Sequence, residues 1–258
     1  MCLGYHNMNR GQMTNSFERA WRKRFEGFAI YSEDDAGIAG WSPTGLATRL
    51  RQFASRWART SSKSGLWLDA GCGAGTYSRF MADQGAEVIG ADYSLLSLQK
   101  AKARGDDAVF WCKADVNYLP IKAGCCDGVI CFGVTQALED SVAVTQELSN
   151  VVRPGGQVWV DALNGWCLPH ILERFLRWVR GRPMHLRYES HRDMETLMRN
   201  AKLINIKLYW LPILPSRWSH YQWLVESRLA EWVFNYVPFV GPLFCHAFIL
   251  HGERSSND

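Results

Sequence analysis

Three closely spaced glycines and an aspartate form the stretch with the clearest capacity for binding chemistry. Gly71, Gly73 and Gly75 follow Asp69 in the order Asp-x-Gly-x-Gly-x-Gly, with Cys72 inside the turn. Glycine has no Cβ, so the backbone can turn tightly here and approach a ligand closely. If a helix begins after the last glycine, its free N–H groups and its dipole face that ligand. The pattern is typical of a nucleotide-type site.

The spacing of the glycines separates two kinds of nucleotide site. A dinucleotide fingerprint places glycine at its first, third and sixth positions, and the sixth position here is Thr76. A nicotinamide-dependent oxidoreductase is therefore the less favoured enzyme hypothesis. Taken alone, the turn also fits a tight strand-to-helix connection that binds nothing.

Two further aspartates follow apolar runs that are typical of buried strands. Asp92 follows 88–91, and a carboxylate at the tip of a second strand can accept hydrogen bonds from both hydroxyls of a ribose. Asp115 comes shortly after the apolar run 109–112. The alternative for both is a solvated carboxylate at a strand end. Cys72 is better explained as a small residue that fills the turn than as a nucleophile, because no base lies near it in the sequence.

Strands and helices must alternate for these residues to converge. Helices are expected to begin at Thr76 and at Leu95, the second with Ser94 as its N-cap and Gly105 at its end. The apolar runs typical of strands are 66–70, 88–92, 109–112, 127–133 and 157–160. This alternation predicts an α/β protein with a parallel sheet, right-handed crossovers and ligands at the carboxyl ends of the strands.

The order Asp-x-Gly-x-Gly-x-Gly resembles motif I of the class I S-adenosylmethionine-dependent methyltransferases. Four further stretches resemble the same family in register: Val88–Asp92, Val109–Val116, Asp127–Gly133 and Leu148–Val160. The resemblance is firm over residues 65–160, and the ubiquinone- and menaquinone-biosynthesis methyltransferases are the most similar type. It implies a doubly wound, Rossmann-like sheet of seven strands, mostly parallel with an antiparallel last strand. It also implies S-adenosyl-L-methionine as cofactor and S-adenosyl-L-homocysteine as product.

The resemblance further implies which residues hold the cofactor. Asp92 is expected at the ribose and Asp115 at the adenine amino group, while the fourth strand passes beneath the methionine part. The implied cofactor-binding residues are Asp69, Gly71, Cys72, Gly73, Gly75, Asp92, Tyr93, Asp115, Val116, Phe132, Gly133, Gln136 and Tyr31. In related methyltransferases the segment before motif I often closes over the cofactor, which makes Tyr31 and Trp41 candidates to line the pocket. Alternatively, both rings only anchor the core of that segment.

The need for a catalytic base depends on the acceptor. Methyl transfer from a sulfonium is an in-line displacement, so the protein mainly aligns the two reactants and excludes water. A base is required only when the acceptor is still protonated at the working pH. Many similar methyltransferases carry histidines after the fourth strand, whereas 134–140 contains none and Gln136 cannot act as a base. His170 is the first candidate, followed by Glu139 and His191, although for each of them a structural role is the favoured explanation.

Composition sets the outer limits on function. A chain of 258 residues suffices for one domain with a cap, and a net charge of +4 gives no electrostatic argument for nucleic acid. The eight cysteines form no C-x-x-C pair and no zinc-like spacing, so no metal is expected. Residues 1–12 lack the apolar core of a signal peptide, which predicts a cytoplasmic protein that still has the option of touching a membrane surface.

The expected domain organisation is an N-terminal helical cap over residues 1–64 and a methyltransferase domain over residues 65–258. The sequence predicts cap helices at 17–28 and 43–58, a sixth strand at 203–210 and a seventh at 245–251. The domain departs from the minimal family pattern through helical insertions at about 165–187 and 211–244.

Both insertions suggest where an acceptor or a partner binds. Residues 170–180 form an amphipathic helix with a basic polar face, typical of a solvated surface helix or of a site for acidic substrates or anionic lipid headgroups. Residues 211–244 carry Trp218 and Trp232 on one stripe of an expected helix and Trp223 opposite. The second apolar side fits internal packing, an apolar acceptor, a second subunit or a membrane interface.

These observations predict methyl transfer to a small, apolar or lipid-linked acceptor. Peripheral membrane contact and a homodimer are further hypotheses about partners. The alternative from another class is a catalytically silent scaffold that binds a partner or a membrane through residues 211–244. The strand-end acids argue against a scaffold, because a protein that binds no cofactor has no physical need for carboxylates there.

Overall fold

The computed structural model describes residues 16–60, 64–104 and 108–256. These residues form a seven-stranded sheet with the strand order β3-β2-β1-β4-β5-β7-β6. The strands are β1 (Leu66–Ala70), β2 (Glu87–Asp92), β3 (Val109–Lys113), β4 (Cys126–Cys131), β5 (Val152–Leu163), β6 (Leu203–Leu211) and β7 (Ala247–Arg254). Strands β1 to β5 pair in parallel, whereas β7 is antiparallel to both β5 and β6. The predicted fold class, a doubly wound and mostly parallel sheet with an antiparallel last strand, is confirmed.

Helices connect these strands and flank the sheet. They are α1 (Ser16–Tyr31), α2 (Asp35–Ile38), α3 (Pro43–Trp57), α4 (Thr76–Asp83), α5 (Leu95–Ala103), α6 (Val142–Val151), α7 (Leu168–Val179), α8 (His191–Asn200), α9 (Gln222–Val225), α10 (Arg228–Tyr236) and α11 (Val240–Phe244). Ser94 caps α5 as expected, accepting from the N–H of Ser97 at 3.3 Å. Gly105, Cys2 and the stretch 1–12 lie outside the described residues.

Strand β1 lies inside the sheet, between β2 and β4, and its residues 67–70 are buried. Trp67 and Leu68 are neighbours in sequence, yet they pack into different apolar clusters, because successive side chains of a strand point to opposite faces. Trp67 meets Trp57 of α3 with ring centroids 5.4 Å apart. Helix α3 therefore packs against one face of β1, the strand that leads into the glycine turn.

Residues 211–244 do not form the single helix that their apolar stripe predicts. They form a 3₁₀ segment at Ser216–Tyr221 and then the short helices α9, α10 and α11. Ser227 begins a new helix, because its side chain accepts from the N–H of Ala230 at 3.2 Å. Many large apolar side chains here are nevertheless exposed: Trp218, Tyr221, Trp223, Leu224, Leu229, Trp232, Tyr236, Phe239 and Phe244.

Helix α7 confirms the predicted amphipathic helix but not its expected orientation. Its polar side chains bond inward: Tyr188 donates to Glu173 at 3.2 Å, and Arg174 donates to the carbonyl of Gly165 at 2.6 Å. The apolar side chains instead face away from the protein, and the most exposed are Leu172, Phe175, Trp178 and Val179. An ordinary surface helix buries its apolar face, so α7 departs from the usual orientation of an amphipathic surface helix.

Within the described ranges, no helix has the length and apolarity required to cross a bilayer. No cluster of histidine, cysteine or acidic side chains in those ranges has the grouping of a metal site. The described cysteines are all free thiols.

Candidate functional site

A cavity lies at the carboxyl ends of β1, β2 and β4, where a parallel sheet is expected to bind its ligand. Nine of the predicted cofactor-binding residues line it: Gly71, Cys72, Gly73, Asp92, Tyr93, Asp115, Val116, Phe132 and Gly133. Side chains of the N-terminal helices close the opposite side, among them Trp21, Arg22 and Leu46. The cavity holds about 110 Å³, only a few times the volume of one water molecule.

The other four predicted residues lie away from this cavity. Tyr31 is 88% exposed at the end of α1, so the prediction that it lines the pocket is not supported by its position. Gln136 lines a neighbouring cavity. Gly75 has a packing role, because a Cβ there would lie 2.3 Å from the Trp111 ring. Asp69 is buried beneath the turn.

The glycine turn brings bare backbone to the cavity. Gly71 has φ +82° and donates its N–H to the carbonyl of Ala91 at 2.7 Å, which ties the turn to the end of β2. A Cβ at Gly71 would lie 2.2 Å from Val134. Gly73 also has positive φ, and a Cβ there would meet nothing within 4 Å. Gly71 is therefore required for packing, whereas Gly73 offers open backbone that a ligand can approach.

The Asp92 carboxylate is fixed by backbone donors. One oxygen accepts from the N–H of Gly73 and the other from the N–H of Ser94, both at 2.8 Å. Burial raises the pKa of Asp92, while these hydrogen bonds lower it. Each carboxylate oxygen can accept a second hydrogen bond. The arrangement thus presents two oriented acceptors to the cavity, as the two hydroxyls of a ribose require.

Asp69 supports the turn from below. The hydroxyl of Ser78, on α4, donates to its carboxyl group at 2.6 Å, and both side chains are buried. Burial is the main reason that the pKa of Asp69 is raised, to about 7. Asp69 therefore joins the end of β1 to the helix that follows the glycines. The structure places it in contact with the interior and not with the cavity.

At the adenine end expected from the sequence, Asp115 is paired with a residue that the sequence analysis missed. Arg22 of α1 forms an ion pair with the Asp115 carboxylate, and its guanidinium lies 5.3 Å from the centroid of the Tyr93 ring. The hydroxyl of Tyr93 donates to the backbone carbonyl of Arg22. Helix α1 thus covers this end of the cavity and occupies the carboxylate predicted for the adenine amino group.

At the opposite end, a buried ion pair lies behind the fourth strand. Asp161 accepts from the N–H of Gly133 at 2.6 Å and from Nε of Arg49 at 3.2 Å. Arg49 also lies over the Trp41 ring, 4.4 Å from its centroid. Asp161 and Arg49 were not among the predicted site residues, although Asp161 follows an apolar run on β5 as the other acids follow theirs.

A second, larger cavity of about 610 Å³ adjoins the first. Trp21, Ala39 and Trp41 line both cavities, so the two cavities are adjacent at these residues. The second cavity is bounded by α3, by the first turns of α7 and by residues 213–218. A ligand in the first cavity therefore has space for a reaction partner beside it.

The three side chains predicted as possible bases lie in different environments. His170 lines the second cavity, but its Nδ1 is 2.8 Å from the carbonyl oxygen of Asn164 and its Nε2 is 3.0 Å from Nδ1 of His246. His191 packs against Trp210, with ring centroids 5.3 Å apart, and lines neither cavity. Glu139 is exposed and also lines neither. With both ring nitrogens engaged, His170 has none left for an acceptor, so its geometry does not favour it as the base.

Known proteins resemble this chain over the stretch that contains the glycine turn, Asp92 and Asp115. Residues 68–160 match the family model described as a methyltransferase domain. The chain is 28% identical over 158 residues to the ubiquinone biosynthesis O-methyltransferase of Idiomarina loihiensis, covering 57% of this chain and 65% of that protein. It is 36% identical over 104 residues to the malonyl-[acyl-carrier protein] O-methyltransferase of Pseudescherichia vulneris, covering 40% and 41%. The matches thus span less than two thirds of the length of these relatives.

Solved structures share the fold at low sequence identity. A chain in the complex between the Haloferax volcanii Trm112 methyltransferase activator and a methyltransferase superposes with a TM-score of 0.62 at 19% identity, covering 90% of this chain and 97% of that one. The magnesium protoporphyrin IX methyltransferase of Synechocystis PCC 6803, solved with bound SAH, gives 0.62 at 16% identity, covering 93% and 100%. The whole sheet and its flanking helices therefore share the architecture of these proteins.

Proposed function

We propose that this chain, which belongs to the class I S-adenosylmethionine-dependent methyltransferases through residues 68–160, transfers a methyl group to a small apolar or lipid-linked acceptor. S-adenosylmethionine is the cofactor of that family, and it supplies an electrophilic methyl group on a sulfonium. The acceptor binds in the second cavity, beside the cofactor, where Trp21, Ala39 and Trp41 line both cavities.

One observation carries the proposal. The carboxylate of Asp92 is held by two backbone N–H groups beside the open backbone of Gly73, at the mouth of a switch-point cavity. Asp92 would hold the ribose, Asp115 the adenine, and the turn after β4 at Phe132 and Gly133 the methionine part. The chemical types of these residues therefore fit this cofactor, and the Arg22–Asp115 ion pair has to open before Asp115 can bind the adenine. A scaffold that only binds a partner gives no reason for this arrangement.

The exposed apolar side chains favour a lipid-linked acceptor and peripheral contact with a membrane. Trp218 and Phe244 line the second cavity while remaining partly exposed, and α7 contributes Pro169 and His170 to the same cavity. Helix α7 thus contributes both to this cavity and, through other residues, to the exposed apolar surface. Residues 168–187 carry five arginines against one glutamate, which suits anionic headgroups. A homodimer through the same surface is the competing partner hypothesis.

The test is calorimetric titration of the purified protein with S-adenosylmethionine and, in parallel, with NADH. We expect saturable binding of the first compound and no binding of the second. Binding of NADH would favour an oxidoreductase instead. Binding of neither compound would refute the proposal, and the exposed surface at 211–244 would then be the place to look for a function.

A further inference from the structure

Two histidines, His170 and His246, line the second cavity, and their hydrogen bonds determine which nitrogen of each ring carries the proton. His170 belongs to the first turn of α7, and His246 immediately precedes β7. Their rings are edge to face with centroids 4.6 Å apart, and Nε2 of His170 lies 3.0 Å from Nδ1 of His246. On its other side, Nδ1 of His170 lies 2.8 Å from the carbonyl oxygen of Asn164. The three groups form a continuous chain.

The direction of this chain follows from the carbonyl. A carbonyl oxygen can only accept, so Nδ1 of His170 carries a proton. A neutral imidazole has one N–H, which leaves Nε2 of His170 as an acceptor. It must therefore receive the Nδ1–H of His246, and Nε2 of His246 keeps its lone pair.

Both imidazoles are held neutral by their surroundings. Burial lowers the pKa of His170 and lowers that of His246 well below its usual range, and the guanidinium of Arg49 acts on His246 in the same direction. The other charged and titratable groups near the pair are Glu173, Arg174, Tyr188 and the Asp161 partner of Arg49. Within the described residues, Nε2 of His246 receives no hydrogen bond, and the side chain lines the cavity.

We propose that His246 is the general base of the reaction and that His170 is the residue that positions it. The proposal rests on the proposed function and names its substrate class, an acceptor with a hydroxyl group. The acceptor hydroxyl gives its proton to Nε2 of His246 while an oxygen lone pair forms the new O–C bond. The methyl–sulfur bond breaks, and its electrons remain on sulfur as a neutral thioether.

The protonation of the acceptor favours a hydroxyl over an amine. Arg49 lines the same cavity, but its charge is balanced by the ion pair with Asp161. An amine enters as an ammonium ion, which has no lone pair and must lose a proton before it can attack. A hydroxyl group enters the cavity neutral, and the lone pair on Nε2 of His246 can accept the proton that it releases.

The first experiment reads the tautomers and needs no acceptor. Nitrogen-15 NMR of the histidine rings at about pH 8, where an unperturbed imidazole is neutral, should show His246 protonated at Nδ1 and His170 protonated at Nδ1. His170→Phe removes the acceptor for His246 and should shift His246 towards the Nε2–H form. A His246 that is protonated at Nε2 in the unaltered protein would overturn the proposal, because no lone pair would then remain for the acceptor.

The second experiment measures transfer from S-adenosylmethionine to 4-nonylcatechol, an apolar hydroxyl probe, with dodecylamine as the amine probe. His246→Gln should lower kcat for the catechol by about 10²- to 10⁴-fold, the usual contribution of a general base, and leave cofactor affinity unchanged. His191→Gln, outside both cavities, is the matched control. Catechol turnover within twofold of the unaltered protein, or preference for the amine, would overturn the proposal. If neither probe reacts, the tautomers observed by NMR decide whether His246 has the lone pair that a base requires. Failure to bind the cofactor would instead refute the proposed function itself.

Discussion

Among the residues that the structure describes, no charged side chain bonds to Asp92, yet its carboxylate is oriented by two backbone N–H groups. We expect Asp92→Ala to weaken S-adenosylmethionine binding by more than about 1.4 kcal/mol, or tenfold, because charge-assisted hydrogen bonds to the ribose are lost. Calorimetry measures the change. Asp83→Ala, an exposed acid on α4, serves as the control and should bind normally. Unchanged affinity in a folded Asp92→Ala protein would remove this residue from the cofactor site.

Asp69 makes stability depend on pH. Burial raises its pKa in the folded protein to about 7, above the value of about 4 expected in the unfolded chain. The unfolded chain therefore ionises first, and folding stability falls as the pH rises from about 4 to about 7. Asp69→Asn removes this dependence while keeping an acceptor for Ser78.

Urea titration measures the free energy of unfolding of both proteins. From about pH 4 to about pH 7 the value for Asp69→Asn should rise relative to that of the unaltered protein. The total change in this difference should be at most about 4 kcal/mol, at 1.36 kcal/mol per pKa unit. Above about pH 7 the difference should stay constant. A difference that is the same at about pH 4.5 and pH 8 would show that Asp69 titrates normally.

The sequence predicts a cavity-lining side chain correctly where the end of a single strand determines the position of that side chain. The cavity-lining residues of the glycine turn and Asp92 follow directly from the ends of β1 and β2, because parallel strands end at the same edge. Arg22, Arg49 and the histidine pair were not predictable. Each depends on a partner 76 or more positions away, as with His170 and His246, and a single sequence contains no sign of such pairing.

Among the elements, α7 differs most from expectation, and periodicity explains why. The sequence determines that one side of α7 is apolar, but not which side meets the protein. Inward hydrogen bonds of Glu173 and Arg174 turn the polar side to the protein here. The sheet strands were predicted more reliably, because an apolar run in a parallel sheet is buried on both faces and leaves no such choice.

The exposed side of α7 should bind membranes. Burying Phe175 and Trp178 in an interface should contribute about 1.5–3 kcal/mol each, so Phe175→Ser with Trp178→Ser should lower the partition coefficient more than tenfold. Co-sedimentation with vesicles of phosphatidylglycerol and phosphatidylcholine in equal parts measures this. Phe110→Ser, an exposed ring on the edge strand β3, is the matched control.

The same two variants separate a membrane from a second subunit. Since both rings are more than half exposed, the double substitution should leave the folded protein intact. If vesicle binding is unchanged, the membrane hypothesis for α7 is refuted. If sedimentation velocity instead shows a dimer that the double substitution dissociates, the outward face of α7 is a subunit interface.

At the scale of the whole molecule, the site is assembled from two parts of the chain. The sheet supplies the glycine turn and the acids, while α1, α2 and α3 supply the opposing wall. The aromatic cluster around Phe53 and Trp57 fixes α3 on the sheet. Helix α1 is held more lightly at the cavity, through Arg22 on Asp115 and on Tyr93. If Asp115 binds the adenine as proposed, the cofactor competes with Arg22 for this carboxylate.

This competition gives the last prediction. The Arg22–Asp115 pair is about 30% exposed on each side, and such pairs contribute about 1 kcal/mol or less. Arg22→Ala frees the Asp115 carboxylate, so we expect S-adenosylmethionine to bind up to about fivefold more tightly, with little change in stability. Calorimetry measures the affinity, and Arg19→Ala, exposed on the same helix, is the control. Weaker binding by Arg22→Ala would show instead that Arg22 holds α1 in the position that the cofactor requires, and closure of α1 would then accompany binding.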